Sequence, residues 1–278
     1  MSDMPAEPLE DRILIRNTED HVVRIEQSDR WVRVIFNGMT VANSKRVRLV
    51  QETKRMPVYY FPVDDVRMDL LSPSGRTVDD AHKGTAGYHT VTVGSRSAEG
   101  AAWMFDNPLP AAAGLTGMVA FYWHKMDTWL EEDDEVYVHP RDPYHRVDVL
   151  HSSRHVRVEV LGETVAESSR PAVLFETNLP TRFYLPRQDV RMDLLVDSPT
   201  TTQCPYKGVA SYWSIRVGNT LAKDMAWAYR FPIPECPKIE NLVCFFNERV
   251  DAIIVDGEEI AKPKTPWTKK PTLITVDD

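Results

Sequence analysis

The chain contains the same stretch twice. Asp65 to Leu71 reads Asp-Val-Arg-Met-Asp-Leu-Leu, and Asp189 to Leu195 reads the same residues, an offset of 189 − 65 = 124. Without a gap, that offset also pairs His21 with His145, Arg30 with Arg154, Gly38 with Gly162, Ser44 with Ser168 and Arg46 with Arg170. Further along it pairs Glu52 with Glu176, Tyr60 with Tyr184, Lys83-Gly84 with Lys207-Gly208, Tyr88 with Tyr212, Trp103 with Trp227 and Asp127 with Asp251. A register held this far means one fold used twice. In a sheet protein a slip of one residue would turn every inward side chain outward. The unit spans residues 20–136 and again 144–260. Residues 137–143, with Pro140 and Pro143, read as a stiff connector, and residues 1–19 and 261–278 as flanking tails. In the second tail, Pro263, Pro266 and Pro271 among lysines favour extended chain. The two units are expected to pack as a pseudo-dimer.

Within a unit the signals are strand signals. Trp31 to Phe36 and His155 to Val160 are rich in β-branched or aromatic residues, and each stops at a glycine turn, Gly38 or Gly162. Further strands are expected over Val58–Phe61, Thr85–Val93 and Met118–Trp123, with partners over Arg182–Leu185, Val209–Val217 and Leu242–Phe246. Asp256-Gly257 has the composition of a tight hairpin turn. Helical periodicity is confined to short turns expected near Ala98–Trp103 and Leu221–Trp227. The fold class is therefore all-β, as two tandem sheet domains.

Composition narrows the function. The 278 residues are 42% apolar and 27% charged, the balance of a folded globular chain. A net charge of -8 argues against a nucleic-acid partner, which usually meets a basic face. No apolar run reaches the roughly 18 residues of a membrane helix, so no membrane partner is expected. Met1 to Asp11 carry acids and prolines where a signal peptide needs a basic start and an apolar run. Only Cys204, Cys236 and Cys244 occur, without a C-x-x-C spacing, as in a reduced intracellular chain. A cytoplasmic location is expected.

Glu176-Thr177, Tyr184-x-Pro186, Asp189 to Leu195, Cys204-Pro205-Tyr206-Lys207-Gly208, Tyr212-Trp213 and Trp227 form a spaced string. It resembles the family catalogued as domain of unknown function 427, which also carries a nucleotidyltransferase-like label. The resemblance covers both units. It implies a small domain similar to the β-tent folds, whose better-known members clamp zinc with two pairs of cysteines. Those pairs are missing here, and three cysteines in one unit cannot repeat a four-ligand site in both. No metal is expected. The transferase label finds no support in the residues, which hold no Gly-rich phosphate loop and no closely spaced acidic pair for magnesium. No cofactor is expected.

The candidate site is Glu176, Lys207 and Cys204 as reacting groups, surrounded by Tyr184, Asp189, Tyr206, Tyr212 and Trp227. In the first unit Glu52, Tyr60, Lys83 and Trp103 correspond. Aromatic walls lower the local dielectric, so the lysine is expected to lose proton affinity and the glutamate to gain it, a pairing suited to acid/base work. A thiolate at Cys204 beside Lys207 would be a nucleophile. The plainer readings are that Cys204 is a small buried hydrophobe, that Lys-Gly turns the chain, that Glu176 pairs with Arg170, and that the tryptophans are core. The first unit keeps lysine and glycine but has Asp80 in place of Cys204. The eight histidines form no convincing set, although His21 and His145 repeat. Two functions stand: a metal-free pair of domains that binds a small polar or anionic molecule, with turnover left open, and a non-catalytic interaction or scaffold module.

Overall fold

The computed structural model describes residues 21–276, so the leading tail, 1–19, lies outside the described residues. The chain divides between Tyr144 and His145 into two compact units. In the first, β1 (Val23–Gln27), β2 (Val32–Phe36), β3 (Met39–Ser44), β4 (Arg48–Glu52), β5 (Val58–Pro62), β6 (Leu71–Asp80), β7 (Gly84–Val93), β8 (Arg96–Phe105), β9 (Met118–Phe121), β10 (Thr128–Glu131) and β11 (Asp134–Glu135) build two antiparallel sheets. The larger runs β1-β4-β5-β9-β8-β7-β6 and the smaller β11-β10-β2-β3.

The second unit repeats this with β12 (Val147–His151), β13 (Val156–Val160), β14 (Glu163–Ser168), β15 (Ala172–Glu176), β16 (Arg182–Leu185), β17 (Leu195–Cys204), β18 (Gly208–Val217), β19 (Thr220–Pro232), β20 (Val243–Phe245), β21 (Ala252–Val255) and β22 (Glu258–Glu259). Its sheets run β12-β15-β16-β20-β19-β18-β17 and β14-β13-β21-β22, the same order strand for strand. One strand has no counterpart: β23 (Leu273–Thr275), from the trailing tail, pairs with β19 at Thr220–Ala222. Among the described residues no helix is long and apolar enough to cross a membrane.

The period-2 pattern of each strand sorts its side chains into two cores, one on either face of the larger sheet. On β5, Tyr59 and Phe61 join the cluster of Val32, Val34, Val91 and Trp129, while Tyr60 between them joins Val50, Tyr88, Phe105 and Leu115. On β16, Phe183 and Leu185 likewise part company with Tyr184. The β2–β3 and β13–β14 hairpins turn on Asn37-Gly38 and Leu161-Gly162, all four at positive φ, which is what a two-residue hairpin turn demands.

The short helical turns expected at Ala98–Trp103 and Leu221–Trp227 are absent; both segments are central strand, in β8 and β19. Their alanines suggested helix, but Ala101, Ala102, Ala222, Ala226 and Ala228 are fully buried small residues of a strand paired on both sides. Gly100 and Asp224, at φ of 53° and 51°, also break any helical run at these points. Tertiary pairing here overrides local propensity.

Candidate functional site

Each unit carries a polar chain of three residues spaced evenly in sequence, 52 − 21 = 31 and 83 − 52 = 31 in the first, 176 − 145 = 31 and 207 − 176 = 31 in the second; the glutamate and lysine side chains are buried in both, whereas His21 is exposed. Glu52 ends β4 and Glu176 ends β15, so each glutamate lies where its sheet runs out. Lys83 and Lys207 sit in the β6–β7 and β17–β18 turns, which swing back over that end. The glycine after each lysine has φ of +99° or +102°, and a Cβ there would meet the carbonyl oxygen of Asn107 at 3.2 Å or of Phe231 at 3.3 Å. That is why both turns have glycine after the lysine.

In the second unit Lys207 Nζ donates to Glu176 Oε2 at 2.5 Å, and His145 Nε2 meets Glu176 Oε1 at 3.0 Å. The His145 ring stacks on Tyr206 at 4.1 Å. In the first unit Lys83 Nζ donates to Glu52 Oε2 at 2.5 Å, and His21 Nε2 meets Glu52 Oε1 at 2.9 Å. Here His82 takes the place of Tyr206 and stacks on His21 at 3.6 Å. A second acid and a second cation enlarge this version. Asp80 lies 2.9 Å from Lys83, and Arg55 reaches Glu52 at 3.2 Å and Asp80 at 2.9 Å. The positions equivalent to Asp80 and Arg55 hold Cys204 and Leu179, so the acid and its cation are exchanged together for neutral residues.

These ion pairs set the protonation. Burial works to raise the Glu176 carboxyl, but the hydrogen bond from His145 and the charge of Lys207 outweigh it and hold the group below the usual carboxylate range. Lys207 is moved up: burial opposes its charge, and Cys204 and Glu176 more than compensate. The expected direction, a lysine of lowered and a glutamate of raised proton affinity, is therefore reversed in the second unit, because each charge has a partner at contact distance. Asp80 is also lowered, burial being overcome by Lys83, the His82 amide and Arg55.

Beside the network of the first unit opens a cavity of about 660 Å³. His21, Glu52, Arg55, Asp80, His82 and Lys83 all face it. Its walls come from Val58 at the start of β5, from the rings of Trp103 and Tyr122, from Trp123 and His124 after β9, and from Val138 to Pro140 of the connector. Trp123 stacks on Trp129 at 4.1 Å, and Trp103 Nε1 donates to Tyr60 at 3.0 Å, so both indoles are fixed. The connector lies against its own unit, with Gln51 Nε2 donating to the buried Asp142 at 2.7 Å.

In the second unit those walls differ at every named position except Trp103, and three of the changes place polar groups together: Val58, Trp123 and His124 become Arg182, Asn247 and Glu248. The Arg182 guanidinium donates to Glu248 at 2.6 and 2.8 Å and to Asn247 Oδ1 at 3.1 Å. The two charged side chains are 8% and 0% exposed. The guanidinium carbon lies 5.6 Å from the centre of the Trp227 ring, the counterpart of Trp103. The trailing tail covers the pair: Thr265 Oγ1 donates to Glu248 at 2.7 Å, and Arg249 Nε donates to the carbonyl of Trp267 at 3.2 Å. Thr265 and Trp267 stand 124 residues after Arg141 and Pro143, so the segment after each unit runs back over that unit.

A family model described as domain of unknown function (DUF427) matches residues 24–132 and again residues 148–256. The second match begins 148 − 24 = 124 residues after the first, in register with the repeat. The chain belongs to the DUF427 family. Comparison with curated proteins gives no match.

The two DUF427 units bring together most of the residues that sequence reasoning selects. Glu176, Lys207, Cys204 and Tyr206 gather at one sheet end, and Tyr184, Tyr212 and Trp227 form the ring cluster behind them, with Trp227 Nε1 donating to Tyr184 at 3.2 Å. Glu52, Tyr60, Lys83 and Trp103 do the same and also reach the cavity. Asp189 stands apart from the network: it accepts from Ser168 at 2.7 Å and from Arg170 at 3.0 Å, as Asp65 does from Ser44 and Arg46. Arg170 is thereby Asp189's partner, not Glu176's. Cys204 is half-buried, next to a lysine already paired with Glu176. His21 and His145 are the residues missed. Their signal was present, since they repeat at the 124 offset and begin each run of 31-residue steps. Among the described residues no three His, Cys, Asp or Glu side chains are arranged to hold a metal ion.

Proposed function

We propose that the first DUF427 unit binds a small polar molecule in its cavity, and that the second unit is a filled counterpart serving stability. The observation that supports this is where the copies differ. The His–Glu–Lys chain is retained in both, whereas the cavity walls are not, and Arg182, Asn247 and Glu248 stand at three of the wall positions. A chain of polar groups kept in a filled unit has a structural job there, clipping β12 and the β17–β18 turn to the end of β15. Binding therefore rests on the walls of the first unit. A space of this size, mostly apolar and aromatic with a few convergent polar groups, has the character of a small-molecule site. The anionic class is disfavoured, because Lys83 and Arg55 already share two carboxylates. Side chains are the only chemistry this reading calls on. Within them, His21 steered by Glu52 is the group suited to moving a proton. For the second unit the locked Arg182–Glu248 pair favours the non-catalytic reading.

The test transplants the filling. Wild type and a Val58→Arg/Trp123→Asn/His124→Glu variant are screened by ligand-observed NMR against small polar ring compounds such as nicotinamide, adenine and imidazole propionate. Compounds that bind wild type are expected to lose binding in the variant, whose substitutions the second unit already accommodates on the same strand framework. Equal binding to both proteins would remove the cavity from consideration.

A further inference from the structure

The second unit supplies its own occupant. Arg182 sends a guanidinium on a three-carbon stem into the place where Val58 leaves space in the first unit. It is held there by a carboxylate, Glu248, by the amide oxygen of Asn247 and by the face of Trp227. Cation, carboxylate and indole face together are a recognised way to bind a guanidinium.

The first unit keeps the indole, Trp103, and redistributes the acid. It loses the carboxylate at position 248's counterpart, His124, and gains two where the second unit has Gln203 and Cys204, namely Asp79 and Asp80, both of which face the cavity. With Glu52, three carboxylates face the space, against the two cations Lys83 and Arg55. With imidazoles neutral, that leaves an excess of one negative charge in a cavity walled by aromatic rings. Lys83 does not repel an incoming cation strongly, since Glu52 at 2.5 Å and Asp80 at 2.9 Å already surround it.

We propose that the cavity of the first unit takes a small organic cation, a guanidinium on a short apolar stem, seated over Trp103 as Arg182 is seated over Trp227. This rests on the binding role given to the cavity above and names the class of ligand. Free small molecules and the arginine side chain of a peptide share this chemistry, and the experiment separates them.

Titration calorimetry uses n-propylguanidinium, which is the arginine side chain alone, its neutral isostere n-propylurea, and the peptide Gly-Arg-Gly. The guanidinium is expected to bind wild type at least tenfold more tightly than the urea, and Val58→Arg, which brings its own guanidinium, to weaken it at least tenfold. Tighter binding of Gly-Arg-Gly than of n-propylguanidinium would assign the site to a peptide arginine, and the reverse to a free cation. A second arm avoids dependence on that variant: Arg182→Ala opens the second unit, and millimolar n-propylguanidinium is expected to raise its melting temperature more than n-propylurea does. Equal affinity for guanidinium and urea, or no binding of guanidinium to wild type, overturns the proposal. If nicotinamide or adenine still binds while no cation is preferred, the ligand class fails and the small-molecule reading stands.

Discussion

Replacing Glu248 by glutamine tests how far the second unit depends on the pair that fills it. Glu248 is 0% exposed and Arg182 8%, so both charges are out of water, and the guanidinium meets the carboxylate through two hydrogen bonds. Glutamine keeps the shape and removes the charge, leaving a buried guanidinium without a counter-ion. Breaking one side of a buried pair typically costs about 3–5 kcal/mol. By contrast, the triple replacement Arg182→Val/Asn247→Trp/Glu248→His installs the residues the first unit carries on the same strands. It is expected to cost less than Glu248→Gln alone, since removing both charges together leaves no buried ion without its partner. The assay is urea unfolding with hydrogen-exchange mass spectrometry read on β16 and β20, because a two-unit chain does not license one two-state fit. The pH dependence has a definite sign. Burial favours the neutral Glu248 acid, but Arg182 and Thr265 overcome it and hold the carboxyl below its ordinary value. A lowered folded value stabilises above the unfolded one, at about pH 4.3, and that share is lost as pH falls through the folded value. The gap between wild type and Glu248→Gln is therefore expected to shrink below about pH 4. A cost under about 1 kcal/mol, the range of an exposed ion pair, would refute the burial argument, as would a triple variant less stable than the single one.

The two glutamates of the sheet ends are expected to differ. Glu176→Gln leaves Lys207 without its carboxylate and should cost about 3–5 kcal/mol, whereas Glu52→Gln leaves Asp80 2.9 Å from Lys83 and should cost less, both read by local hydrogen exchange. Because the Glu176 carboxyl is also held low, its stabilisation too is present at neutral pH and fades as acid protonates it. Gly208→Ala forces a side chain into φ of +102° beside the Phe231 carbonyl and is expected to lose about 1–3 kcal/mol; a neutral result would mean the β17–β18 turn readily rearranges. Among the cysteines, burial pushes the Cys236 thiol up to about 11 and that of Cys244 up to about 12. Iodoacetamide in the native state, followed by mass spectrometry, should therefore label half-buried Cys204 first, and prior labelling of Cys244 would contradict the packing around β20.

What can be read from the residues in order is what repeats or alternates. The 124-residue offset determined two like units, runs of β-branched and aromatic residues determined strands, and Gly38 and Asp256-Gly257 determined hairpin turns. Lys207 and Glu176 were within reach of sequence reasoning because both recur in both units, and His145 was equally legible once its spacing is compared with theirs. These features lie along the chain, where period and repetition are visible. Ala98–Trp103 was not legible, because alanine favours helix locally and only pairing on both edges makes it strand. The cavity was less legible still. Whether a polar group is locked, covered or open depends on what distant segments place against it: Val58 or Arg182 from one strand, His124 or Glu248 from another, the connector or the trailing tail from beyond the last. Those contacts exist only once the strands have assembled, so tertiary structure alone decided that a cavity opens beside the network of the first unit and that a buried ion pair stands at the equivalent wall positions of the second.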